Sequence, residues 1–408
     1  MEVLHARCVG LDVHQATVVA CVRRATRKTV RRETREFGTS TPELLALADW
    51  LRTHEVTHVL MESTGVYWKP VWHVLAGHFE LVLANATAVR NVPGRKSDVS
   101  DAAWLADLLA HGLVRPSFVP DAETQELRGL TRTRTQLVRE HTRHAQRVHK
   151  VLEDANLKLA TVLSDVFGST GRAILAALVE GETDPERLAA LATPRVKVSR
   201  AALAAALHGT VTDYHRFELR LHLELMAQLD RAIAEVEERI TRALAPFRLV
   251  VERLTTIPGI STTTAHILLA EAGRDMTRFA TAGHLVSWAG LSPRLDESAG
   301  KRRSVRVRPG GRWLKTALVQ AAWAAIKVNH SYLQAQYLRL KGRRGPKRAI
   351  IAVAASMLAA AYHMLRTETD YRDLGGAYFD RRDKRRVALR LVRRLNQLGY
   401  AVDLHSAA

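Results

Sequence analysis

The spacing of apolar residues divides this chain into stretches of different period. From residue 5 to about residue 115, strand-like and helix-like spacings take turns. Val9, Leu11 and Val13 alternate with polar or small residues and predict a strand over Val9–Val13. Thr17–Val22 predicts a second strand paired with it as a hairpin, and Thr29 to Phe37 a third. Thr41-Pro42-Glu43 opens a helix: a capping residue, Pro in the first turn and an acid that suits the dipole. Leu44, Leu47, Ala48 and Leu51 give that helix its apolar face. Val56–Met61 predicts another strand, Trp68–Ala76 a helix, Leu81–Ala84 a strand, and a helix opens at Asp98.

The next stretch is helical. From Glu123 to about Leu159, Leu127, Leu130, Arg134, Leu137, His141, Ala145, Val148, Leu152, Ala155 and Leu159 recur at three or four residues. That is a heptad-like seam on a helix about 50 Å long. A second long helix is expected over Leu219 to Leu244, with a helical insert between them broken at Asp184-Pro185 and Thr193-Pro194. An antiparallel hairpin within one chain and a dimerisation arm both satisfy this pattern. From Arg253 the chain reads as mostly helical. Ile257-Pro258-Gly259-Ile260-Ser261, with Ala265 following, resembles a helix-hairpin-helix, whose Gly-containing turn aims backbone N–H groups at a phosphate. Ser261 stands where a second Gly is usual, and a plain helix–turn–helix connection fits the same residues. Pro309-Gly310-Gly311 is a turn before a helix over Trp313 to Val328, Lys341–Arg348 reads as a basic loop, and the tail around Arg381–Arg394 is basic again.

Charge narrows the partner. The 408 residues carry a formal net charge of +20. Between Lys301 and Thr367 there are 15 Lys or Arg and no Asp or Glu. A solvated surface mixes signs, so this excess predicts a polyanion, most simply nucleic acid. A hydrophobic share of 47% excludes a disordered tail and allows several cores. The two cysteines, Cys8 and Cys21, fall in the first predicted strands and read as core filler. The N-terminus shows no signal-peptide pattern. The most apolar segment, Ile350 to Leu365, is shorter than the ~20 residues of a membrane span. A buried helix is expected there, with no membrane partner and a cytoplasmic location.

Four acids give the first stretch its chemistry. Asp12 follows the first apolar alternation, Glu62 closes Val59-Leu60-Met61, and Asp98 and Asp101 lie three residues apart at a helix start. The order β-β-β-α-β-α-β-α is that of a ribonuclease-H-like fold, α/β in class, followed by a mostly α remainder. In such a fold the four carboxylates meet at one end of the sheet, where hard divalent cations fill the space between them. Two Mg²⁺ about 3.5–4 Å apart would suit phosphodiester chemistry. Taken singly, Asp98 is also an N-cap, Asp101 an N3 acid and Glu62 a strand-end charge. Arg95 and Lys96, just before Asp98, place positive charge beside a bound phosphate.

At this point the residues resemble a known family: the insertion-sequence transposases with a RuvC-like Asp-Glu-Asp-Asp N-terminal domain and a separate C-terminal transposase domain, the RNA-guided bridge recombinases. The resemblance rests on Gly10-Leu11-Asp12-Val13, Met61–Tyr67, Gly94–Ala102 with Trp104-Leu105-Ala106, Ile257–Ile260, and Ala289–Pro293 running into Glu297–Lys301. It implies that Asp12, Glu62, Asp98 and Asp101 are catalytic metal-binding acids. It also implies a nucleophilic serine, placed at Ser298, with Ser304 and Ser292 as weaker candidates and Ala299 standing where Gly is common. Lys301, Arg302 and Arg303 would stabilise phosphate charge, and they join Arg95, Lys96, Gly259 and Arg312 as expected nucleic-acid contacts. The implied partners are donor and target DNA, a structured bridge RNA, and further copies of the chain in a homodimer or homotetramer. The expected domains are 1–120 (catalytic), 121–250 (coiled-coil), 251–370 (transposase) and 371–408 (basic tail). A RuvC-like nuclease that cuts with water and forms no serine adduct fits the acids equally well, and a non-enzymatic nucleic-acid scaffold fits the charge.

Overall fold

The computed structural model describes residues 2–26, 29–63, 65–86, 89, 92, 100–293, 296–298, 300–304, 307 and 310–402, with 296–298 and 302–304 described by backbone alone. The chain forms two compact units, Met1–Pro120 and Asp121–Ala408.

The first unit is built on a mixed five-stranded sheet of order β3-β2-β1-β4-β5. The strands are β1 (Arg7–Val13), β2 (Thr17–Ala25), β3 (Val30–Gly38), β4 (His58–Glu62) and β5 (Glu80–Ala84). Consecutive β1, β2 and β3 pair antiparallel; β4 runs parallel to β1, and β5 parallel to β4. Among the described residues, three helices accompany the sheet: α1 (Thr41–Thr53), α2 (Trp68–Leu75) and α3 (Asp101–Ala110).

Alternation decides which helix covers which face. Val9, Leu11 and Val13 of β1 pack with Leu44, Leu47 and Leu51 of α1 and with Val71 and Leu75 of α2. Cys8 of β1, Leu60 of β4 and Ala84 of β5 pack instead with Leu105, Leu108 and Leu109 of α3. The predicted order of strands and helices holds, while several boundaries move by one to three residues. Strand β4 begins at His58 rather than Val56, because Glu55 takes a left-handed φ of 53° and Val56 still donates to the Leu51 carbonyl, closing α1. Strand β2 runs three residues beyond its expected end, since Arg23 is buried and held by Asp107. Helix α3 starts at Asp101, with Ser100 accepting from the Ala103 amide as its cap.

In the second unit, α4 (Ala122–Asp154) and α9 (Asp213–Leu244) form an antiparallel hairpin. Arg134 meets Glu237, His141 meets Asp230, and Asp154 meets His215, so partner numbers fall on one helix as they rise on the other. Helix α4 stops at Asp154, short of the expected Leu159, because Asn156 adopts a φ of 58°. Helix α9 starts at Asp213, earlier than expected, behind a Thr212–His215 capping box. The insert between them contributes α5 (Leu159–Val162), α6 (Ser169–Val179), α7 (Pro185–Ala190) and α8 (Arg200–Ala206). It packs on one end of the hairpin through Val148, Leu152, Leu219 and Met226. Leu127, Ile240 and Leu244 anchor the other end in a separate core. The middle of the seam is polar, as the ion pairs show.

That second core is made by α10 (Arg248–Thr255), α11 (Thr262–Ala272), α12 (Ala282–Trp288), α13 (Arg312–Ala325), α14 (Tyr332–Arg344) and α15 (Pro346–Thr367). A short hairpin, β6 (Asp296–Ser298) and β7 (Lys301–Ser304), precedes α13. Helix α15 is longer than the apolar run suggested. At 22 residues it is apolar and long enough, by length and composition alone, to cross a membrane. In this fold Val353, Met357, Leu358 and Ala361 on it are fully buried in the core. The expected basic loop at Lys341–Arg348 is a correction: Lys341, Arg343 and Arg344 form the last turn of α14, and Pro346 opens α15. Gly345, at φ 78°, makes the break between the two helices. Two tail helices follow, α16 (Tyr378–Arg382) and α17 (Lys384–Gln397).

Candidate active site

Sheet register brings two of the four predicted acids together. Leu11 of β1 pairs with Met61 of β4, so Asp12 and Glu62 are the next residues on two adjacent parallel strands. Both share the parity of Cys8 and Leu60, so they belong to the face covered by α3. The third acid comes from α3 itself. A Cβ built on Gly10 would lie 2.2 Å from the Ala102 carbonyl oxygen and 2.4 Å from the Ala106 nitrogen. Only a residue without a side chain lets the first turn of α3, which begins with Asp101, lie this close to β1.

Asp12 accepts from His14 Nε2 at 3.2 Å and keeps 29% of its side chain exposed. Asp98, Arg95 and Lys96 lie outside the described residues. Helix α3 begins at Asp101, which is the acid of its first turn. Among the described residues, no three His, Cys, Asp or Glu side chains converge as a metal-ligand group. The backbone therefore assembles Asp12, Glu62 and Asp101 at one end of the sheet without a closed ligand set.

An ion-pair cluster fixes α3, and sequence reasoning missed it. Arg23 of β2, only 4% exposed, donates to Asp107 at 2.9 Å. Arg32 of β3 donates to both Asp107 carboxylate oxygens, at 2.9 and 2.8 Å. The signal was an arginine pair, Arg23-Arg24, closing an apolar run and a second acid on the helix. Cys8 is core filler as expected: burial pushes its thiol up to about 12, and its Sγ faces the Ala106 carbonyl.

In the second unit, Ser298 closes β6 opposite Lys301 of β7. Arg302, Arg303 and Ser304 continue β7, and the side chains of Ser298 and of these three lie outside the described part. The segment is a β-hairpin. Ser292 is half-buried before it, and Lys301 is exposed at the turn. Gly259, expected to face a phosphate, has a packing role: with φ 83°, its added Cβ would meet the Ala321 carbonyl of α13 at 2.3 Å. A cleft of about 530 Å³ between α4, α11 and α13 is lined by Gly259, Ser261, Arg139 and Trp313. The Trp313 ring has three guanidiniums around it, from Arg139 at 5.2 Å, Arg312 at 5.6 Å and Arg132 at 5.7 Å. Arg132 also clamps both oxygens of buried Glu271, at 2.7 and 2.9 Å.

Two family models match the chain: a transposase domain of the IS110 DEDD type over residues 9–157, and the Transposase IS116/IS110/IS902 family over residues 251–338. The chain belongs to the IS110 family of transposases. It is a DNA transposase of an insertion sequence. The transposase is 26% identical over 371 residues to a probable family 20 transposase of Pseudomonas aeruginosa, covering 89% of this chain and 94% of the relative. It is 25% identical over 285 residues to the transposase for insertion sequence element IS1111A of Coxiella burnetii, covering 69% and 70%. The Streptomyces coelicolor insertion element IS110 43.6 kDa protein is 27% identical over 320 residues, covering 68% and 73%. The first match contains Asp12, Glu62, Asp98 and Asp101, and a DEDD transposase domain implies use of a divalent metal.

Proposed function

We propose that this transposase cuts and exchanges DNA strands through a serine nucleophile, Ser298, assisted by Mg²⁺ held at Asp12, Glu62, Asp98 and Asp101 in a ribonuclease-H-like first unit. The observation that carries the reading is the β1–β4 register, which seats Asp12 beside Glu62 under the first turn of α3. The donor set is oxygen only, which suits a hard cation such as Mg²⁺ and two ions of it. When bound, the cations would supply charge stabilisation to the phosphate undergoing substitution.

The chain's own residues do the rest. Ser298 Oγ gives up its proton and forms a bond to phosphorus, and one phosphorus–oxygen bond to a deoxyribose breaks, the freed deoxyribose oxygen taking up a proton as a hydroxyl. The phosphoserine link conserves the phosphodiester, so a second strand's hydroxyl reverses the step without net hydrolysis. Lys301, Arg302 and Arg303, beside Ser298 in the hairpin, bind the phosphate oxygens. Arg95 and Lys96 flank the acids in sequence and contact the same backbone. A structured bridge RNA chooses donor and target by base pairing, and a homodimer or homotetramer brings acids and serine together. The net charge of +20 supports a large polyanionic load.

Denaturing the transposase after incubation with element-end DNA, bridge RNA and Mg²⁺ should leave a protein–DNA adduct. Ser298→Ala and Asp12→Asn should each abolish it. Cleavage that leaves no adduct in the parent, or an adduct that survives Ser298→Ala, would favour a water-using nuclease over the serine mechanism.

A further inference from the structure

A groove of about 910 Å³ lies in the second unit, between α14 and α17. Arg339 and Arg343 of α14 line it, as do Arg386, Arg390 and Arg393 of α17. Spacings of four on α14, and of four then three on α17, keep each row on one helix face. Among the described residues, none of the five guanidiniums is in an ion pair. Two acids also line the groove, Asp380 and Asp383, and Asp383 caps α17 by accepting from the Arg386 amide.

Helix stability does not explain this placement. Lys384, Arg385 and Arg386 occupy the first turn of α17, where the dipole disfavours cations. Arg386 and Arg390 are like charges at i, i+4, which destabilise a helix. Helix α17 has six Lys or Arg and no acid over 14 residues. Rows of unpaired guanidiniums lining one groove repel each other until an anion enters it.

We propose that this groove binds the phosphate backbone of duplex DNA. The lining tells against a single strand, whose binders offer aromatic faces for bases to stack on. The aromatic side chain lining it is Phe379, and its ring is already engaged within the protein. Arg339 lies over the ring at 4.9 Å, and Tyr332 stacks on it at 5.1 Å with planes 24° apart. That packing commits the ring to protein contacts rather than to a base. A duplex turns its phosphates outward, and arginines that meet them fix position without reading sequence. The groove thus anchors DNA outside the chemistry. The inference rests on the chain acting on DNA and requires neither Ser298 nor the acids.

The test uses the full-length transposase in EDTA, so a failure of the serine mechanism leaves it unaffected. Fluorescence anisotropy with a random-sequence duplex of about 30 base pairs is followed from about 50 to 200 mM salt. Each phosphate contact contributes about 0.9 to the slope of log affinity against log salt. Arg386→Gln/Arg390→Gln/Arg393→Gln should therefore flatten the slope by about 2.7 and weaken binding by on the order of 10²-fold near 100 mM salt. The charge-matched control Arg381→Gln/Arg385→Gln/Arg394→Gln, which spares the groove, should change the slope by less than about 1. The triple Lys variant of the groove positions should keep most of the parental slope, which separates lost charge from lost fold. An unchanged slope in the groove variant, or an equal loss in the control, overturns the proposal. So does a loss confined to a single-stranded probe. Retained duplex binding with lost binding to phosphatidylglycerol vesicles would identify a membrane-surface helix instead.

Discussion

Gly10→Ala tests whether the approach of α3 to β1 sets up the acid site. The added Cβ would sit 2.2 Å from the Ala102 oxygen, 2.4 Å from the Ala106 nitrogen and 2.7 Å from the Leu105 Cβ. Two of those atoms are backbone of a helix, so no side-chain rotation relieves the clash and α3 must move. Overpacking costs about 1–3 kcal/mol, and Ala returns about 0.5–1 kcal/mol over Gly within a strand. A net loss of about 1 kcal/mol should lower the melting point by roughly 3–6 °C. The displaced first turn carries Asp101, and a misplacement of about 1 Å at a reacting centre costs about 10²-fold in rate. The assay pairs a thermal melt with DNA strand exchange measured well below the variant's melting point. Gly129→Ala is the matched control, because nothing lies within 4 Å of its added Cβ and it sits inside α4. It should stabilise by about 0.5–1 kcal/mol and leave exchange unchanged. A Gly10→Ala protein that melts and reacts like the parent refutes the close approach. One that melts lower yet exchanges strands at full rate refutes the link from α3 to the chemistry.

Asp107→Asn removes the negative charge that pairs buried Arg23 and turns one carboxylate oxygen into an amide donor, and should destabilise the first unit by about 2–3 kcal/mol, read as an earlier thermal transition. Glu271→Gln leaves the Arg132 and Arg128 guanidiniums facing a neutral amide, and should cost about 3 kcal/mol by denaturant titration. Cys8, with its thiol pushed up to about 12, should resist iodoacetamide at about pH 8 until denaturant is added. Burial leads in holding His144 and His266 below the usual imidazole range. Between the folded values and the unfolded value of about 6.5, the unfolded chain binds more protons, so stability from these groups is present above that value and lost as pH falls through the window. Melting points between about pH 7.5 and 5.5 should therefore fall less steeply in His144→Gln/His266→Gln than in the parent; equal falls would refute the assignment.

The strands and helices of the first unit were legible because burial leaves apolar runs in β1, β2, β4 and β5 and a helical period in α1. Asp12 and Glu62 could be placed at strand ends, since each follows an apolar run directly. Boundaries set by single backbone conformations were less legible: Glu55 and Asn156 take positive φ without the Gly that would announce it. The break at Gly345-Pro346 was announced, yet the basic run around it drew the reading toward a loop. Long-range pairs left no periodic trace. Arg23 and Asp107 are 84 residues apart, Arg132 and Glu271 139. Gly259 shows the converse difficulty: a glycine suited to a phosphate turn is equally suited to close packing, and here Ala321 and Ala325 of α13 occupy the space a side chain would need.

The position of Asp101 depends on residues that carry no chemistry themselves. Two independent attachments hold α3 to the sheet. Gly10 admits the first turns of the helix to β1, which sets how closely it approaches. Arg23 and Arg32, from β2 and β3, hold Asp107 two turns further along, which sets its direction. A helix fixed near its start and again toward its end can neither pivot nor slide without breaking one attachment. Steric and electrostatic restraints also answer to different perturbations: salt screens the exposed Arg32 pair but leaves the Gly10 contact unaltered. The acid end of the sheet should consequently keep its geometry across the salt range over which phosphate contacts by the basic helices weaken, so high salt should release DNA before it disturbs the site.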